Sequence, residues 1–551
     1  MTTEATSRPS TASSDESDHK AEPAVQFETE SDDTSVEKVP LEHRHHFEQV
    51  YEKIKQYGRY QVLTFILVQY IMLNAAGNYV FITFAALKPQ CMHRDINEIA
   101  DACTRGKVCP VNDTIRVFHS LYEDDFVCPN FYLPNHMQTM QAVGSGIGAL
   151  LGGHLADLFG RKWVSYSGAL LMCSFGMLGG LAPDWVVLMV AMFGMGLSYG
   201  ILIDALMTLA SETVGPKYRI VQTLAFQWSL AMQLASLTAW LCRDWRTYLL
   251  ILNGICSPVL VLMLFWVESP RWLIQKRRYK QACESLNKIA WWNGCEARFT
   301  ERDLLKMHIK AEPKSQVYSF KDLFTGKKLF GYSVAMIFSA LTVELCVGVI
   351  IFDVQVLAGD PFLNVALYGA LRLWTPFFVI YAETHMKQLG RRALFISSQC
   401  TSLFLSSSFQ SFLAGFSIVC YFVVVGLYLF PASLSTSVAR TVFALIGGIV
   451  NSSIFFTVYK QYTIELYPTL MRAIAVGTFG VVERVGGALA PQLVNMNAWT
   501  MPGTALTITT LIMCFSLIAG CAVLPETRLV DMPDTQEDVG VQEREAKGAK
   551  V

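Results

Sequence analysis

The sequence is poor in charge: only 16% of its 551 residues are Asp, Glu, Lys or Arg, whereas soluble domains have roughly 25%. This deficit excludes an ordinary soluble protein and indicates that most of the chain lies in lipid. A net charge of −1 also excludes the strongly basic surface that is typical of nucleic-acid binding. The first 40 residues have no long apolar run, so we expect no cleavable signal peptide there. They are rich in Ser, Thr, Glu and Asp, a composition that predicts disorder.

Catalytic and metal-ligand patterns are lacking as well. Gly196–Gly200 fits the G-x-S-x-G pattern of hydrolases, but it lies inside an apolar run rather than on a strand-to-helix turn. Gly144–Gly146 is not a dinucleotide-binding loop, because no strand precedes it. Gly144, Gly148 and Gly152 instead recur at every fourth position, a stripe of small residues that predicts close approach of another helix. His43, His45 and His46 have a spacing that could bind metal, but the exposed polar face of a helix is the better interpretation. We therefore expect no enzyme, no cofactor, no metal and no nucleic-acid partner.

Long apolar runs are what the sequence has instead. About twelve of them reach the roughly 20 residues that a helix needs to cross the hydrocarbon of a bilayer. Helices are the expected spanning element, because every backbone polar group must be satisfied inside the segment. The sequence therefore predicts an all-α membrane protein. The runs lie near 60–86, 137–158, 163–182, 185–209, 220–241, 246–267, 329–352, 362–382, 393–430, 441–464, 473–494 and 503–524.

Short-loop basic residues predict the orientation, because cytosolic loops carry an excess of Lys and Arg. Most of these residues fall in alternate loops; Arg243, Arg246 and Arg440 are exceptions. We therefore expect both termini to be cytosolic, in a multi-pass protein of the plasma membrane. The basic residues of the alternate loops are Arg161, Lys162, Lys217, Arg219, those within Arg271–Lys280, Arg391, Arg392 and Arg472.

A long polar loop, residues 88–136, falls on the outer side in this topology. It contains four cysteines in an oxidising compartment, so we expect two disulfides, with three pairings possible. Asn112 begins an N-x-T sequence for N-glycosylation in the same loop. The cysteines are Cys91, Cys103, Cys109 and Cys128.

Three short signatures occur in the same order in each half of the chain, which predicts two six-helix halves with a site between them. They pair Gly160, Arg161 and Lys162 with Gly390, Arg391 and Arg392; the segment Glu212–Arg219 with Glu465–Arg472; and Glu268–Arg271 with Pro525–Arg528. The second half has about 23 extra residues between its first two signatures. A further crossing there would place Arg472 outside, so we expect only one span within 393–430.

These patterns divide the chain into five parts. A disordered acidic tail with a juxtamembrane helix covers residues 1–58, and the first six-helix half covers 59–270. A cytosolic linker with amphipathic helices follows at 271–328, including one over Arg278–Trp292. The second half covers 329–527 and a cytosolic tail 528–551.

Charged residues inside the apolar runs are the candidate site, because an ionisable group at membrane depth is costly and usually functional. Arg484, Arg372, Glu344 and Asp204 are of this kind. Pairing among themselves, such as Arg372 with Glu344, is the alternative to contact with a substrate or proton.

Amide side chains give a second group of candidates. Asn74 and Asn78 share one face of the first span, which fits either a wet cavity or hydrogen bonds between helices. Gln233 is a further candidate for the lining of a cavity.

Seven further motifs lie along the chain: GGHLADLFGRK (152–162), SETVGPKYR (211–219), RDWR (243–246), ESPRWLI (268–274), YPTLMR (467–472), RVGGALAP (484–491) and LPETRLVDMPDT (524–535). Together these motifs resemble the major facilitator superfamily and, within it, solute carrier family 22. The resemblance covers about residues 59–538 and implies alternating-access transport, with a small organic ion as substrate and the lipid bilayer as partner.

The loop motif at 152–162 predicts a contact that holds one face of the protein shut in one state. Gly153 would allow close helix approach, and Gly160 a tight turn. Asp157 would lie near the N-terminus of a neighbouring helix, and Arg161 would pair with an acid such as Glu212. Two residues depart from the pattern of the family: Leu158 replaces the usual basic residue, and Lys387 stands where the second copy would have Asp.

Arg484 carries the prediction of selectivity. Members that resemble organic cation transporters have Asp at the matching position, whereas anion- and carnitine-type members have Arg. We therefore expect transport of organic anions or carnitine-like zwitterions, anchored by a guanidinium. The alternatives are a cation transporter that uses Glu344 and Asp204, and a membrane receptor or scaffold without transport, suggested by Lys387 and the insertion near 393–430.

Overall fold

The structure is a computed structural model, and the residues that it describes all lie within one compact unit, residues 45–551. These residues are 49–87, 118–121, 133–215, 218, 222, 227–296, 298–306, 320–352, 359–374, 377, 395–396, 416–428, 434–467, 469–501 and 503–525. The predicted disordered tail, both predicted disulfides and the glycosylation site at Asn112 lie outside them.

The described residues form helices connected by short loops, as predicted for an all-α protein. In chain order the helices are α1 (Gln49–Lys53), α2 (Arg59–Ala85), α3 (Leu133–Phe159), α4 (Arg161–Gly180), α5 (Trp185–Glu212), α6 (Gln227–Cys242), α7 (Trp245–Cys256), α8 (Pro258–Leu264), α9 (Pro270–Gln275), α10 (Tyr279–Trp292), α11 (Glu301–Lys306), α12 (Lys327–Phe352), α13 (Pro361–Arg372), α14 (Phe416–Leu427), α15 (Leu434–Ile449), α16 (Phe456–Glu465), α17 (Thr469–Trp499) and α18 (Thr504–Val523). A 3₁₀ turn lies at Phe320–Phe324, and a π-helical turn, Val450–Phe455, joins α15 to α16.

Seven helical segments of the described chain are long and apolar enough to cross a membrane. Each of them corresponds to a predicted span. They are Arg59–Ala85, Leu133–Phe159, Trp185–Glu212, Trp245–Leu264, Lys327–Phe352, Ser435–Lys460 and Thr504–Val523. The predicted spans at 163–182 and 473–494 are also helical, as α4 and α17.

The tenth predicted span begins earlier in the structure than at residue 441. The helix starts at Leu434 because Arg440, which the prediction left in a loop, is satisfied locally. Its Nε donates to the carbonyl oxygen of Thr436 at 3.3 Å, and its guanidinium lies 4.7 Å from the centre of the Tyr428 ring. Of the predicted span at 393–430, the structure describes residues 395–396 and α14.

Aspartate caps begin three of the helices. Asp184 accepts from the backbone N–H of Val187 at 2.9 Å and Asp244 from that of Thr247 at 2.8 Å. Asp360 accepts from the N–H of Phe362 at 2.8 Å, with proline at the first helical position of α13. Such caps satisfy N–H groups that a helix leaves free at its start, so these short polar residues end the loops between spans.

Glycines let α3 and α5 pack with their backbones in contact, as the spacing in the sequence predicted. A Cβ added at Gly144 or Gly148 would collide with the backbone of Phe193 or Leu197, and one at Gly152 would lie 2.7 Å from Cα of Ile201. From α5, a Cβ at Gly200 would collide with the backbone of α3. The hydrolase-like pattern at 196–200 thus has a packing role.

The helices pack as two groups. In the first, α3 and α4 contact α5 and α2 contacts α6; in the second, α12 contacts α17 and α18. Between the groups, α3 contacts α17, and α6 contacts α13. We call these groups the first half and the second half; the predicted domain boundaries stay predictions.

Candidate functional site

Arg484 lies where the two halves meet. Its Nη1 is 3.8 Å from Oε1 of Glu344 on α12, a distance beyond hydrogen bonding, and the two side chains are 15% and 20% exposed. From the first half, Tyr199 on α5 places its ring 5.3 Å from the guanidinium carbon. The guanidinium therefore contacts an acid of its own half and an aromatic ring of the other.

Tyr199 belongs to a group of three aromatic rings of the first half that pack together next to this position. The ring of Tyr79 on α2 lies 5.3 Å from that of Tyr199 and 5.6 Å from that of Trp228 on α6. The rings of Tyr199 and Trp228 are 6.0 Å apart and nearly perpendicular. A Cβ added at Gly487 would lie 3.5 Å from the Tyr79 hydroxyl and 3.9 Å from Oε2 of Glu344. The rings thus form an apolar wall with polar edges beside Arg484.

Further charges complete a group that we call the charge cluster: Asp204, Glu344, Lys460, Glu483 and Arg484. Lys460 on α16 donates to Oε1 of Glu483 at 2.6 Å; the Lys460 side chain is 36% exposed and that of Glu483 is 5% exposed. Asp204 interacts electrostatically with Arg484, Lys460 and Glu483 and is exposed in spite of its place within α5. An acidic side chain that is exposed and yet lies among charges of the other half is expected to line an opening between the halves.

The halves contact each other at the end of the bundle where α2 ends and α3 begins, which we call the loop end. There the Ser236 hydroxyl donates to the carbonyl oxygen of Phe362 at 2.6 Å, and the ring of Phe84 stacks on that of Phe362 at 5.3 Å. Gln492 donates to the Thr139 hydroxyl at 2.8 Å. These contacts close the loop end among the described residues.

The opposite end, where α8 ends and α12 begins, we call the linker end. There, as far as the described residues show, a Cβ added at Gly153 on α3, or at Gly477 or Gly480 on α17, would meet nothing within 4 Å. Asp204 and Lys460 lie on this side of Arg484 along their helices. In this conformation the charge cluster therefore opens toward the linker end.

Asn74 and Asn78 face away from the charge cluster, and this corrects their assignment to the lining of a cavity. The two amides, 3% and 0% exposed, donate to Oδ1 of Asn253 on α7 at 2.9 Å each. Asn253 in turn donates to Oδ1 of Asn78 at 3.0 Å, and Gln141 donates to the carbonyl oxygen of Asn78 at 2.9 Å. We call Asn74, Asn78 and Asn253 the amide cluster; its contacts fit the alternative of hydrogen bonds between helices.

Arg372 and Gln233 lie elsewhere on the interface. Arg372 donates to the carbonyl oxygen of Ser452, inside the π-helical turn, at 3.0 Å, and lies 5.6 Å from the centre of the Tyr368 ring. It is half-buried and interacts electrostatically with Glu344, although Arg484 has the stronger interaction. Gln233 donates to the carbonyl oxygen of Ser229 at 3.2 Å and packs where Gly369 of α13 approaches α6.

The predicted contact between Arg161 and Glu212 forms at the linker end of the first half. Nε of Arg161 lies 3.5 Å from Oε2 of Glu212, and its Nη2 lies 3.0 Å from Oδ1 of Asp157. The Ser269 hydroxyl also donates to Glu212. Asp157, Arg161, Glu212 and Ser269 are thus joined in one network within the first half.

Glu268, rather than Asp157, lies at a helix N-terminus. It accepts from the backbone N–H groups of Arg161 and Lys162 at 3.0 and 3.1 Å, directly after Gly160, which has a φ of 104°. Burial raises the pKa of Glu268, although these N–H groups favour its ionised form. Asp157 is 71% exposed and contacts the Arg161 side chain, so Glu268 and not Asp157 caps the N-terminus of α4. Among the described residues a Cβ at Gly153 would meet nothing within 4 Å, so the close approach expected there is absent in this conformation.

The second copy of the motif is described only in part. Glu465 is half-buried, and it has interaction partners. Arg472 begins the second turn of α17, but its side chain is outside the described residues. The predicted motif residues Arg219, Gly390, Arg391 and Arg392 are outside them too.

Several residues of the site were missed in the sequence. Lys460 is an ionisable residue inside a predicted span, so the criterion that found Arg484 would have found it as well. Asn253 is likewise an isolated amide in an apolar run. Tyr79, Tyr199 and Trp228 gave no signal, because aromatic residues are common in spanning helices and only the fold brings these three together.

Comparisons with known proteins cover most of the chain. Residues 136–538 match the family described as "Sugar (and other) transporter". Human solute carrier family 22 member 11 is 30% identical over 435 residues, which are 77% of this chain and 73% of that protein. Human organic cation/carnitine transporter 2 is 27% identical over 404 residues, 71% of this chain and 66% of that protein.

Solved structures show the same helical arrangement. The inward-open xylose transporter XylE from E. coli is similar with a TM-score of 0.56 at 15% identity, over 86% of this chain and 98% of that chain. At this identity the likeness concerns the fold.

Proposed function

The chain belongs to the "Sugar (and other) transporter" family of the major facilitator superfamily and, within it, to solute carrier family 22; from that premise we propose that it carries small organic anions or carnitine-like zwitterions, with Arg484 as anchor. The chain is a multi-pass membrane transporter and not an enzyme. What the comparisons leave open is the class of substrate. The charge cluster and the rings beside it support an anionic or zwitterionic substrate.

The observation that carries the proposal is the loose contact between Arg484 and Glu344. At 3.8 Å the two charges attract each other without a short hydrogen bond. A substrate carboxylate or sulfate could form two short hydrogen bonds with the guanidinium, which is the stronger arrangement. Binding of an anion would therefore replace a weak internal pair by a stronger external one.

The position of Arg484 also supports a role in alternating access. The guanidinium belongs to the second half, whereas the rings of Tyr79, Tyr199 and Trp228 belong to the first. An anion on Arg484 whose apolar part packs against these rings would contact both halves. Sites between halves, reached from either side in turn, are typical of transporters built from repeats.

Uptake assays in cells test the anchor. Labelled organic anions, organic cations and a carnitine-like zwitterion are offered to the wild type, Arg484→Gln and Arg484→Asp, with uptake normalised to surface expression. We expect anion uptake to fall at least about tenfold, because a tenfold change corresponds to only about 1.4 kcal/mol and a bidentate pair contributes more.

Arg440→Gln is the matched control. It removes a guanidinium of the same half that is bound to its own helix, outside the charge cluster. Its uptake should equal that of the wild type. Unchanged anion uptake in Arg484→Asp would show that the guanidinium does not anchor the substrate.

A cation transporter is the second candidate, because Glu344 and the exposed Asp204 are two acids that interact with Arg484 and with Tyr199, one of the three packed aromatic rings. Rings of this kind attract cations through their faces. Uptake of a cation that is lost in Glu344→Gln but kept in Arg484→Ala would favour this function over anion transport.

A further inference from the structure

A cavity of about 380 Å³ lies at the linker end of the first half, apart from the charge cluster. It lies between the end of α3 and the start of α4, the residues after α8, and the linker helices α9 and α10. On the predicted topology this is the level at which the helices leave the cytosolic face of the bilayer. The transport site described above does not use this cavity.

Three basic side chains line the cavity: Lys162, Arg278 and Lys288. Lys162 and Lys288 lie close enough for their like charges to repel each other. Each ammonium donates to one carbonyl oxygen, of Leu264 at 2.9 Å and of Phe265 at 3.1 Å. Because an ammonium has three donors, each retains hydrogen-bonding capacity for a ligand.

Two carboxylates also line the cavity, and they differ in availability. Glu268 accepts hydrogen bonds from the backbone N–H groups at the start of α4, so its carboxylate is already satisfied there and is not available to the basic side chains. Glu284 is exposed on α10. The three basic side chains therefore face only one available carboxylate, that of Glu284, and the lining of the cavity has an excess of positive charge.

A buried donor also lines the cavity. Trp266 is 2% exposed, and its indole Nε1 has no hydrogen-bond partner in the described part of the chain. Leaving a buried N–H without an acceptor costs about 1–3 kcal/mol. Trp266 is a lining residue of the cavity, so an acceptor oxygen of a ligand that reaches its indole N–H would remove this cost.

The rim of the cavity is apolar. Phe159 and Trp163 line it and are 64% and 53% exposed. Aromatic residues of this kind lie at the level of the headgroups in membrane proteins. A ligand of this cavity would thus contact cations inside it and an apolar surface at its entrance.

We propose that this cavity binds an anionic phosphate group, presented by a phospholipid of the adjacent leaflet. Phosphate oxygens would accept from Arg278, Lys162, Lys288 and the Trp266 indole, while an acyl chain would lie against Phe159 and Trp163. Basic pockets between spanning helices on the cytosolic side have this chemistry. The proposal is independent of the transported substrate.

Thermal unfolding of the full-length protein in detergent tests the site. The protein is titrated with dioctanoyl phosphatidylinositol 4,5-bisphosphate, with dioctanoyl phosphatidylcholine, and with inositol hexakisphosphate as a soluble phosphate. We expect the anionic lipid to raise the midpoint of unfolding more than phosphatidylcholine does. In Arg278→Gln/Lys288→Gln its half-saturating concentration should rise at least about tenfold, given the contribution of each basic residue to binding of anionic lipid.

Lys276→Gln/Lys280→Gln is the matched control, because it removes the same charge from exposed residues beside the cavity that do not line it. Its half-saturating concentration should change less than about twofold. Gln281→Lys adds a cation to the lining and should tighten binding, a gain that misfolding cannot produce. Trp266→Phe, which keeps the apolar ring, should weaken binding.

Equal weakening in both double variants, or no tightening in Gln281→Lys, would overturn the site. So would equal effects of the two lipids on the wild type. If inositol hexakisphosphate matches the anionic lipid and shows the same dependence on Arg278 and Lys288, the phosphate site stands but its source is a soluble phosphate.

Discussion

The amide cluster and the charge cluster are two polar regions inside the membrane part of the molecule, and they differ in how completely their groups are paired. In the amide cluster, Asn74, Asn78 and Asn253 are buried and bond each other at 2.9–3.0 Å within one half. In the charge cluster, Arg484 and Glu344 are partly exposed, 3.8 Å apart and next to the other half. The first region fixes α2 to α7, whereas the second leaves charges for which a ligand can compete.

The difference teaches that polarity at membrane depth has two uses. A neutral network with every partner present stabilises one half as a unit, since each lost partner leaves a buried donor or acceptor. A charged group with loose partners is costly by itself, so it persists where another benefit offsets the cost. Substitutions in the two regions should therefore affect different measurements.

Loss of Asn253 should have the largest effect on stability. Asn253→Ala leaves the amides of Asn74 and Asn78 without their shared acceptor, which should cost about 2–4 kcal/mol. The midpoint of thermal unfolding in detergent should fall by several degrees, with little change in the KM for an anion. Thr238→Val, which removes an exposed hydroxyl bonded to its own helix, is the control. A changed KM with an unchanged midpoint would reverse the roles of the two clusters.

The pair of Lys460 and Glu483 should show a smaller effect. Lys460→Met leaves the buried carboxylate of Glu483 without its ammonium, but Lys460 is 36% exposed. We therefore expect about 1–2 kcal/mol, below the 3–5 kcal/mol typical of a fully buried pair. Lys460→Met/Glu483→Gln should recover part of the loss in a double-mutant cycle. Additive losses would mean that the two side chains do not interact.

Replacement of the ring over Arg484 should be felt in affinity rather than stability. Tyr199→Leu removes a cation–π contact at 5.3 Å and should raise the KM for an anion about three- to tenfold. Tyr199→Phe keeps the ring and should stay within about twofold of the wild type. If the Phe variant is as impaired as the Leu variant, the hydroxyl rather than the ring positions the guanidinium.

The smallest effect concerns pH and Glu268, which lies outside both clusters. Burial raises its pKa above the ordinary 4.5, so the stability that it contributes is present below that value and lost as pH rises through the raised pKa. The charged groups near it are Arg161 and Lys162, and the Tyr60 phenol is also close.

The midpoint of the wild type, relative to that of Glu268→Gln, should thus decrease by about 1–2 °C from pH 5 to pH 8. The comparison is made by thermal unfolding at several pH values in one buffer series. An increase over that range would mean that the backbone N–H groups outweigh burial and lower the pKa of Glu268.

The sequence predicted the class of fold well because apolar runs and glycine spacing are local signals. The packing of Gly144, Gly148 and Gly152 against α5 followed from their spacing. Arg440 shows the limit of such reasoning, since its bonds to Thr436 and Ser437 let a helix begin before a charge. No local sequence pattern indicates that a charged side chain will form its hydrogen bonds within its own helix.

The candidate site was predicted less completely, because it depends on which helices meet. Arg484 and Glu344 were found as isolated charges; pairing among such charges was one alternative, with Arg372 and Glu344 as its example, whereas in the structure Glu344 lies beside Arg484. The stripe of Asn74 and Asn78 fitted a cavity and a helix contact equally well until Asn253 was seen beside it. A single helix face cannot reveal what lies opposite.

Gly146 gives the first half direct control over the residue that we propose as anchor. A Cβ at this position of α3 would lie 3.4 Å from Cβ of Arg484, in van der Waals contact that leaves no room for further side-chain atoms in that direction. A larger residue would therefore tilt the arginine side chain and narrow the room around it. Substitutions at this one glycine, natural or engineered, would therefore limit the size of the substrate. Related carriers could in this way differ in the substrates that they accept while keeping the arginine itself.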